Sequence, residues 1–192
     1  MGLRPSRRLL GPLVVCVAMA LPAIATASAA AAGAPCGDAN LVPTAANGAQ
    51  VRAATLCLIN VERASRGLRA VRADSQLRSV AQRYSRDMVS HRFFAHVGYD
   101  GSTLRSRISG ATHYLSRVSR WSLGENLYWG SGELSTPQQS VQAWMHSPGH
   151  RRNLLDKTFR DVGIGIAIGA PEDVQGSPSA TYTTEYGTHT FR

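Results

Sequence analysis

The stretch Trp144-Met145-His146-Ser147-Pro148-Gly149-His150-Arg151-Arg152-Asn153-Leu154-Leu155 gathers two imidazoles, a hydroxyl and two guanidiniums beside an aromatic anchor. Ser147 followed by Pro148 is the order of a helix N-cap and a first helical position. Ser147 is thus expected to open a short helix carrying His150, Asn153 and Leu154. An imidazole in the first turn of a helix lies near exposed backbone N–H groups, whose positive end disfavours protonation. His150 is then neutral near neutral pH, able to ligate a metal or accept a proton. The alternative is that Trp144, Met145, Leu154 and Leu155 are core and His150 fills a polar gap. Two other segments carry comparable chemistry. Glu125, in Gly124-Glu125-Asn126-Leu127-Tyr128-Trp129-Gly130, is either a loop carboxylate facing solvent or one that burial obliges to find a partner or a cation. His96 follows Phe93-Phe94-Ala95, which suggests an imidazole held at the edge of the core.

These side chains must be positioned by flanking elements. Val51, Ala54, Leu58 and Ile59 recur at helical spacing, so a first helix begins near Val51, with Gly67 as its stop. Asp74 caps a second helix with Leu77, Val80, Ala81, Tyr84 and Met88 on one face and Arg78, Arg83 and Arg86 turned to solvent. Thr103 caps a short helix through Ile108, and Gly110 to Ser122 reads as less regular, with strand-like pieces near Arg120 to Ser122. Thr136-Pro137-Gln138-Gln139 has the pattern of a capping box with proline at the first helical position. Asp161 to Ile168 alternates small and branched residues, a strand with one face closely covered. A loop from Gly169 to Ser179 leads to a second strand over Ala180 to Tyr186. Helices dominate the first two-thirds and strands the last third, an α+β arrangement with a central antiparallel sheet covered by helices.

Length allows one compact domain with short extensions. The formal charge is +9, of which Arg4, Arg7 and Arg8 supply three, leaving +6 for the rest. That suits anionic polymers, lipid headgroups or wall material. No basic stripe interleaves with aromatics, so nucleic acid is not an expected partner. The three N-terminal arginines, the apolar run from Leu9 to Ile24 and the small residues around Ala27-Ser28-Ala29 read as a signal peptide over residues 1–33, removed on export, with no membrane span afterwards. Export leaves Cys36 and Cys57, an even count that argues for a disulfide tethering an extension over residues 34–50 to the first helix.

The ordered motifs Cys57-Leu58-Ile59-Asn60-Val61-Glu62-Arg63, Phe94-Ala95-His96, Gly124-Glu125-Asn126-Leu127, Trp144-Met145-His146-Ser147-Pro148-Gly149-His150-Arg151 and Val162-Gly163-Ile164-Gly165 together resemble the CAP superfamily of cysteine-rich secretory, antigen 5 and pathogenesis-related proteins, in its bacterial secreted branch. The likeness spans residues 51–192, an SCP-like domain. It implies an α-β-α sandwich with a central cleft that carries two histidines and acidic residues, and that binds a divalent metal in some members. Carried over position by position, it places His96, Glu125, Ser147 and His150 in the cleft. Ser147 stands where many eukaryotic members have a second glutamate, and Glu185 in the last strand is a possible substitute acid.

The metal set implied is His96 and His150, with Glu125 as ligand or as support, and zinc suits such donors. The family shares a fold without an agreed catalytic activity. The resemblance therefore implies first a non-enzymatic extracellular module binding a lipid, peptide or cell-envelope component. The alternative is a metal-assisted hydrolase with His96 and His150 as ligands and Glu125 as general base. A catalytic triad of Ser147, His150 and Glu125 ranks below both, since Ser147 is already assigned a capping role and no nucleophile elbow surrounds it.

Overall fold

The structure, a computed structural model, describes residues 1–2, 36–174 and 176–191. The expected signal peptide and its cleavage region lie outside the described residues. From Cys36 onward the element order is α1 (Gly48–Ala64), β1 (Arg72–Ala73), α2 (Ser75–Ser90), α3 (Leu104–Ala111), β2 (Val118–Ser131), a 3-10 turn (Gly132–Ser135), α4 (Pro137–His146), α5 (Pro148–Leu154), β3 (Asp161–Ile168) and β4 (Ser179–Phe191).

The strands form one sheet in the order β1-β3-β4-β2. β4 lies between β3 and β2 and pairs antiparallel with both. β1 pairs parallel with β3, so the sheet is mixed at one edge and not purely antiparallel as expected. Helices cover both faces, which is the α+β sandwich expected from sequence. On one face Val51 and Ile59 of α1, Trp144 of α4 and Leu154 of α5 pack with Ile164, Tyr182 and Tyr186. On the other, Leu77 and Val80 of α2 meet Ile108 and Tyr114, while Tyr84 and Met88 meet Leu127. Leu58, expected in the core, is only partly buried against the first of these clusters.

The alternation in β3 explains this layering. Its branched residues point to the α1 face and its glycines to α2. A Cβ at Gly163 would run into the backbone of Leu77, and one at Gly165 into that of Ala81. α2 therefore lies directly on the sheet, closer than any side chain would allow.

Several boundaries move. α1 begins at Gly48, before Val51. The strand-like pieces expected near Arg120 to Ser122 belong to a 14-residue strand that begins at Val118 and continues through Glu125 to Ser131. β2 runs from Val118 because β4 extends to Phe191 and pairs with it along almost its whole length. The length of such a strand is set by a partner some 60 residues away, and local pattern marks only part of it.

Caps behave as expected in part. Asp74 accepts from the backbone N–H of Gln76 and Leu77. The reciprocal capping box forms at Thr103 and Ser106. At Thr136 the side chain accepts from the N–H of Gln139 at 3.4 Å without the reciprocal half among the described residues.

Cys36 and Cys57 form a disulfide, with Cα atoms 5.8 Å apart. It restricts the unfolded chain by roughly 3 kcal/mol in the entropic account. The segment before α1 packs onto the domain as well. Pro43 is buried, Leu41 lies against the core, and the Ala39 carbonyl accepts from the N–H of Gln138 at the start of α4.

Candidate functional site

Glu125 sits in the middle of β2, on the face that α2 and α3 cover, and not in a loop. Its side chain is 3% exposed. Both carboxylate oxygens are engaged: Oε2 accepts from Arg107 Nη2 at 2.5 Å, and Oε1 is 2.8 Å from His96 Nδ1. A carboxylate so buried needs such partners, because desolvation without them would cost several kcal/mol.

Arg107, in α3, is the centre of the arrangement. Its guanidinium lies over the Tyr84 ring at 3.5 Å and donates through Nη1 to the carbonyls of His96 and Ser102. Tyr84, in α2, donates its hydroxyl to the Ala95 carbonyl at 2.6 Å. One cation and one phenol thus fix the His96 loop from below. Phe93 anchors the same loop by packing against Tyr84 edge-on. Residue type predicts Tyr84 as core but not this second role. Nothing in the sequence marks Arg107 among the chain's arginines.

His150 arrives from the other side of the β2 edge. α5 is held there by a pair of asparagines. Asn126 Nδ2 donates to the His150 carbonyl at 3.0 Å, and Asn153 Nδ2 donates to the Glu125 carbonyl at 2.9 Å. Trp144 Nε1 donates to the Leu127 carbonyl at 3.0 Å. These side chains satisfy the open edge of β2, which would otherwise expose unpaired carbonyls. The end of α5 is fixed by Arg63, which is fully buried in α1 and donates to the carbonyls of Leu154 and Asp156. A cation at those last carbonyls also opposes the negative end of the helix.

The His96 and His150 rings come together, their centroids 6.5 Å apart. Ser147 is the N-cap residue of α5 by position, but its side chain makes no capping hydrogen bond. The capping role expected for it is not realised. Glu125 bonds to His96 and not to His150, and no bond among the described residues joins Ser147 to either ring.

The two imidazoles differ electrostatically. The hydrogen bond to Glu125 holds His96 above the ordinary histidine pKa, against the opposing effects of burial and Arg107. Burial, and then the neighbouring His96, push His150 below it. His150 is therefore neutral as expected, with desolvation as the leading cause. Of the two rings, His96 is the one that holds a proton more readily.

Glu185 is the direct cross-strand partner of Glu125 and is fully buried. Neither of its oxygens has a hydrogen-bond partner among the described residues. Burial, and next the Glu125 charge, push its pKa well above the usual carboxylate range, with Arg107 opposing. Its burial thus favours the protonated form beneath the site.

Beside the polar groups the loop after α2 exposes Phe94, Val97 and Tyr99. Tyr99 stacks on His91 with centroids 3.6 Å apart. Exposed apolar side chains thus flank His96 in the same loop.

Residues 56–185 match the model of the Cysteine-rich secretory protein family, CAP. An uncharacterized protein of Bacillus subtilis (strain 168), YkwD, is 32% identical over 111 residues, covering 56% of this chain and 39% of that protein. An uncharacterized membrane protein of the same strain, YlbC, is 30% identical over 111 residues, covering 58% of this chain and 30% of that protein. The match thus spans well under half of either relative. Among solved structures, an extracellular SCP-domain protein from Bacillus anthracis shares the fold at TM-score 0.54 and 24% identity, covering 72% of this chain and 43% of that one. An outer surface protein from Borrelia burgdorferi does so at TM-score 0.52 and 20% identity, covering 70% of this chain and 90% of that one.

Proposed function

The chain belongs to the cysteine-rich secretory protein (CAP) family, and on that premise we propose that it is exported and acts outside the cell as a binding module, not as an enzyme. The ligand is a lipid, peptide or cell-envelope fragment that meets His96, Ser147 and His150 with polar groups and Phe94, Val97 and Tyr99 with apolar ones. The observation that carries this reading is the full engagement of Glu125. A general base needs an oxygen free to take a proton from water. Both oxygens of Glu125 already accept hydrogen bonds, from Arg107 and His96. A fixed, paired carboxylate suits a recognition surface, where it orients His96 and sets its charge.

A second reading, the metal-assisted hydrolase, is supported by the same His96–Glu125 bond. Metal-binding imidazoles commonly donate their other ring nitrogen to a carboxylate. His96 and His150 are the donors that would hold a zinc or similar ion, with Glu125 behind His96. Among the described residues no three His, Cys, Asp or Glu side chains surround one point. The donors in this reading are two imidazoles whose centroids lie 6.5 Å apart, which would leave positions for water. Such an ion would supply a polarised water; the chain's own part would be to fix the His96 ring through Glu125 and to favour the neutral form of His150.

The discriminating experiment is mass spectrometry of small molecules released from the purified protein, followed by calorimetry with the candidates found. The same preparation is assayed against peptide, ester and glycan panels with and without zinc. Saturable binding that weakens in His96→Ala, with no cleavage, is the expected result. Turnover that disappears in Glu125→Gln while the fold persists would establish the hydrolase instead.

A further inference from the structure

A second surface lies away from the His96 loop. The exposed flank of α2, the start of α1 and the outer edge of β3 enclose an open groove of about 790 Å³. Four arginines line it: Arg52 from α1 and Arg78, Arg83 and Arg86 from α2. None of the four has a carboxylate partner among the described residues, and no acidic side chain lines the groove. Arg78 to Arg86 spans about 12 Å along the helix axis at the standard rise per residue. Burial, and next the charge on Arg78, lower the pKa of Arg52, as expected where like charges gather without counterions.

We propose that this groove binds a linear polyanion built of repeating phosphodiesters, such as a polyol-phosphate polymer of the cell envelope. Guanidiniums pair with phosphate oxygens two at a time, and a row of them suits a chain with charge at regular intervals. Other occupants fit less well. Bases and sugar rings are recognised by stacking on aromatic faces, and no aromatic side chain lines the groove. An acidic peptide would add as a strand to the open edge of β3. That edge is already closed at Ile166, whose carbonyl accepts from Gln82 Nε2 at 2.7 Å and whose N–H donates to Gln82 Oε1 at 3.2 Å. The chain's own first 33 residues hold three arginines and no acid, so like charge argues against them as the occupant.

The proposal is independent of any ligand at His96. Its test uses the purified full chain and a short poly(glycerol phosphate) oligomer, read by calorimetry across a salt series. The comparison probes are inorganic phosphate, single-stranded DNA and polyglutamate. The expected result is saturable binding of the oligomer that weakens at least about tenfold in R78E/R86E. The slope of log affinity against log salt should fall by about two in the same variant, one for each phosphate no longer neutralised. Both side chains are exposed, so circular dichroism should show the fold unchanged, and the milder R78Q/R86Q gives the same ordering if charge reversal disturbs it. The charge-matched R69E/R120E, away from the groove, should retain most of the affinity. No binding by the parent, equal loss in R69E/R120E, or unchanged binding in R78E/R86E each overturns the proposal. Equal or tighter binding of the DNA or the polyglutamate overturns the phosphodiester assignment in favour of that probe's class.

Discussion

Arg107 donates to Glu125 at 2.5 Å with the two side chains only 8% and 3% exposed, so a helix on one face of the sheet supplies the counterion for a carboxylate in the strand beneath it. Removing Arg107 leaves the Glu125 charge desolvated, with only His96 beside it. Arg107→Leu should therefore destabilise the fold by about 3–5 kcal/mol in denaturant unfolding at neutral pH. Adding Glu125→Gln to that variant should recover part of the loss, which a double-mutant cycle measures.

His96 takes its raised pKa chiefly from its hydrogen bond to Glu125. A folded-state pKa above the unfolded one stabilises fully below the unfolded value, and that stabilisation is lost as pH rises through the folded value. In Glu125→Gln the His96 titration followed by NMR should shift down. The fall of stability above the ordinary histidine pKa of about 6.5 should flatten with it.

Zinc held by His96 and His150 requires both imidazoles neutral. His96 holds its proton above the ordinary histidine value. Affinity should then begin to fall, on acidification, at a pH higher than the reference value of about 6.5 that free histidine would suggest. His96→Ala with His150→Ala should abolish uptake in calorimetry while circular dichroism shows the fold retained. Uptake by the double variant as tight as the parent's would assign the metal to other groups.

Glu185 is a buried acid whose folded-state pKa lies well above the ordinary value. The sign is opposite to that of a paired carboxylate: stability is full below the unfolded pKa and declines as pH rises above it. Glu185→Gln keeps the shape without the ionisation. The variant should gain on the parent steadily as pH rises from the ordinary carboxylate range of about 4 to neutrality in unfolding experiments, and a pH-independent difference would rule out this account.

Gly163 and Gly165 admit the backbone of α2 to the sheet. A methyl group at either position must push that helix away. Gly165→Ala should cost about 1–3 kcal/mol or more, the range for overpacking a close-packed core. The displacement also reaches Tyr84, and through it Arg107 and the His96 loop, so the His96 titration should change as well.

Local pattern was enough to read the class of the fold and most of its elements, while the family motifs, not spacing, pointed to His96, Glu125 and His150 as neighbours. Helical periodicity marked α2, the glycine alternation marked β3 and its covered face, and the even pair Cys36 and Cys57 marked the disulfide. A helix face, a pleat or a turn is written within a few neighbouring residues. The ordered motifs named the family, which residues 56–185 then showed. The full length of β2, the parallel pairing of β1 and the raised pKa of Glu185 were set only by the assembled layers. So were the placement of Arg107 on Glu125 and the loss of the capping bond expected at Ser147. A buried ion pair joins residues 18 positions apart through a strand and a helix, and the Glu125–Glu185 register joins residues 60 apart. The desolvation that fixes these charges exists only once the layers have closed, so no window of the chain could carry it.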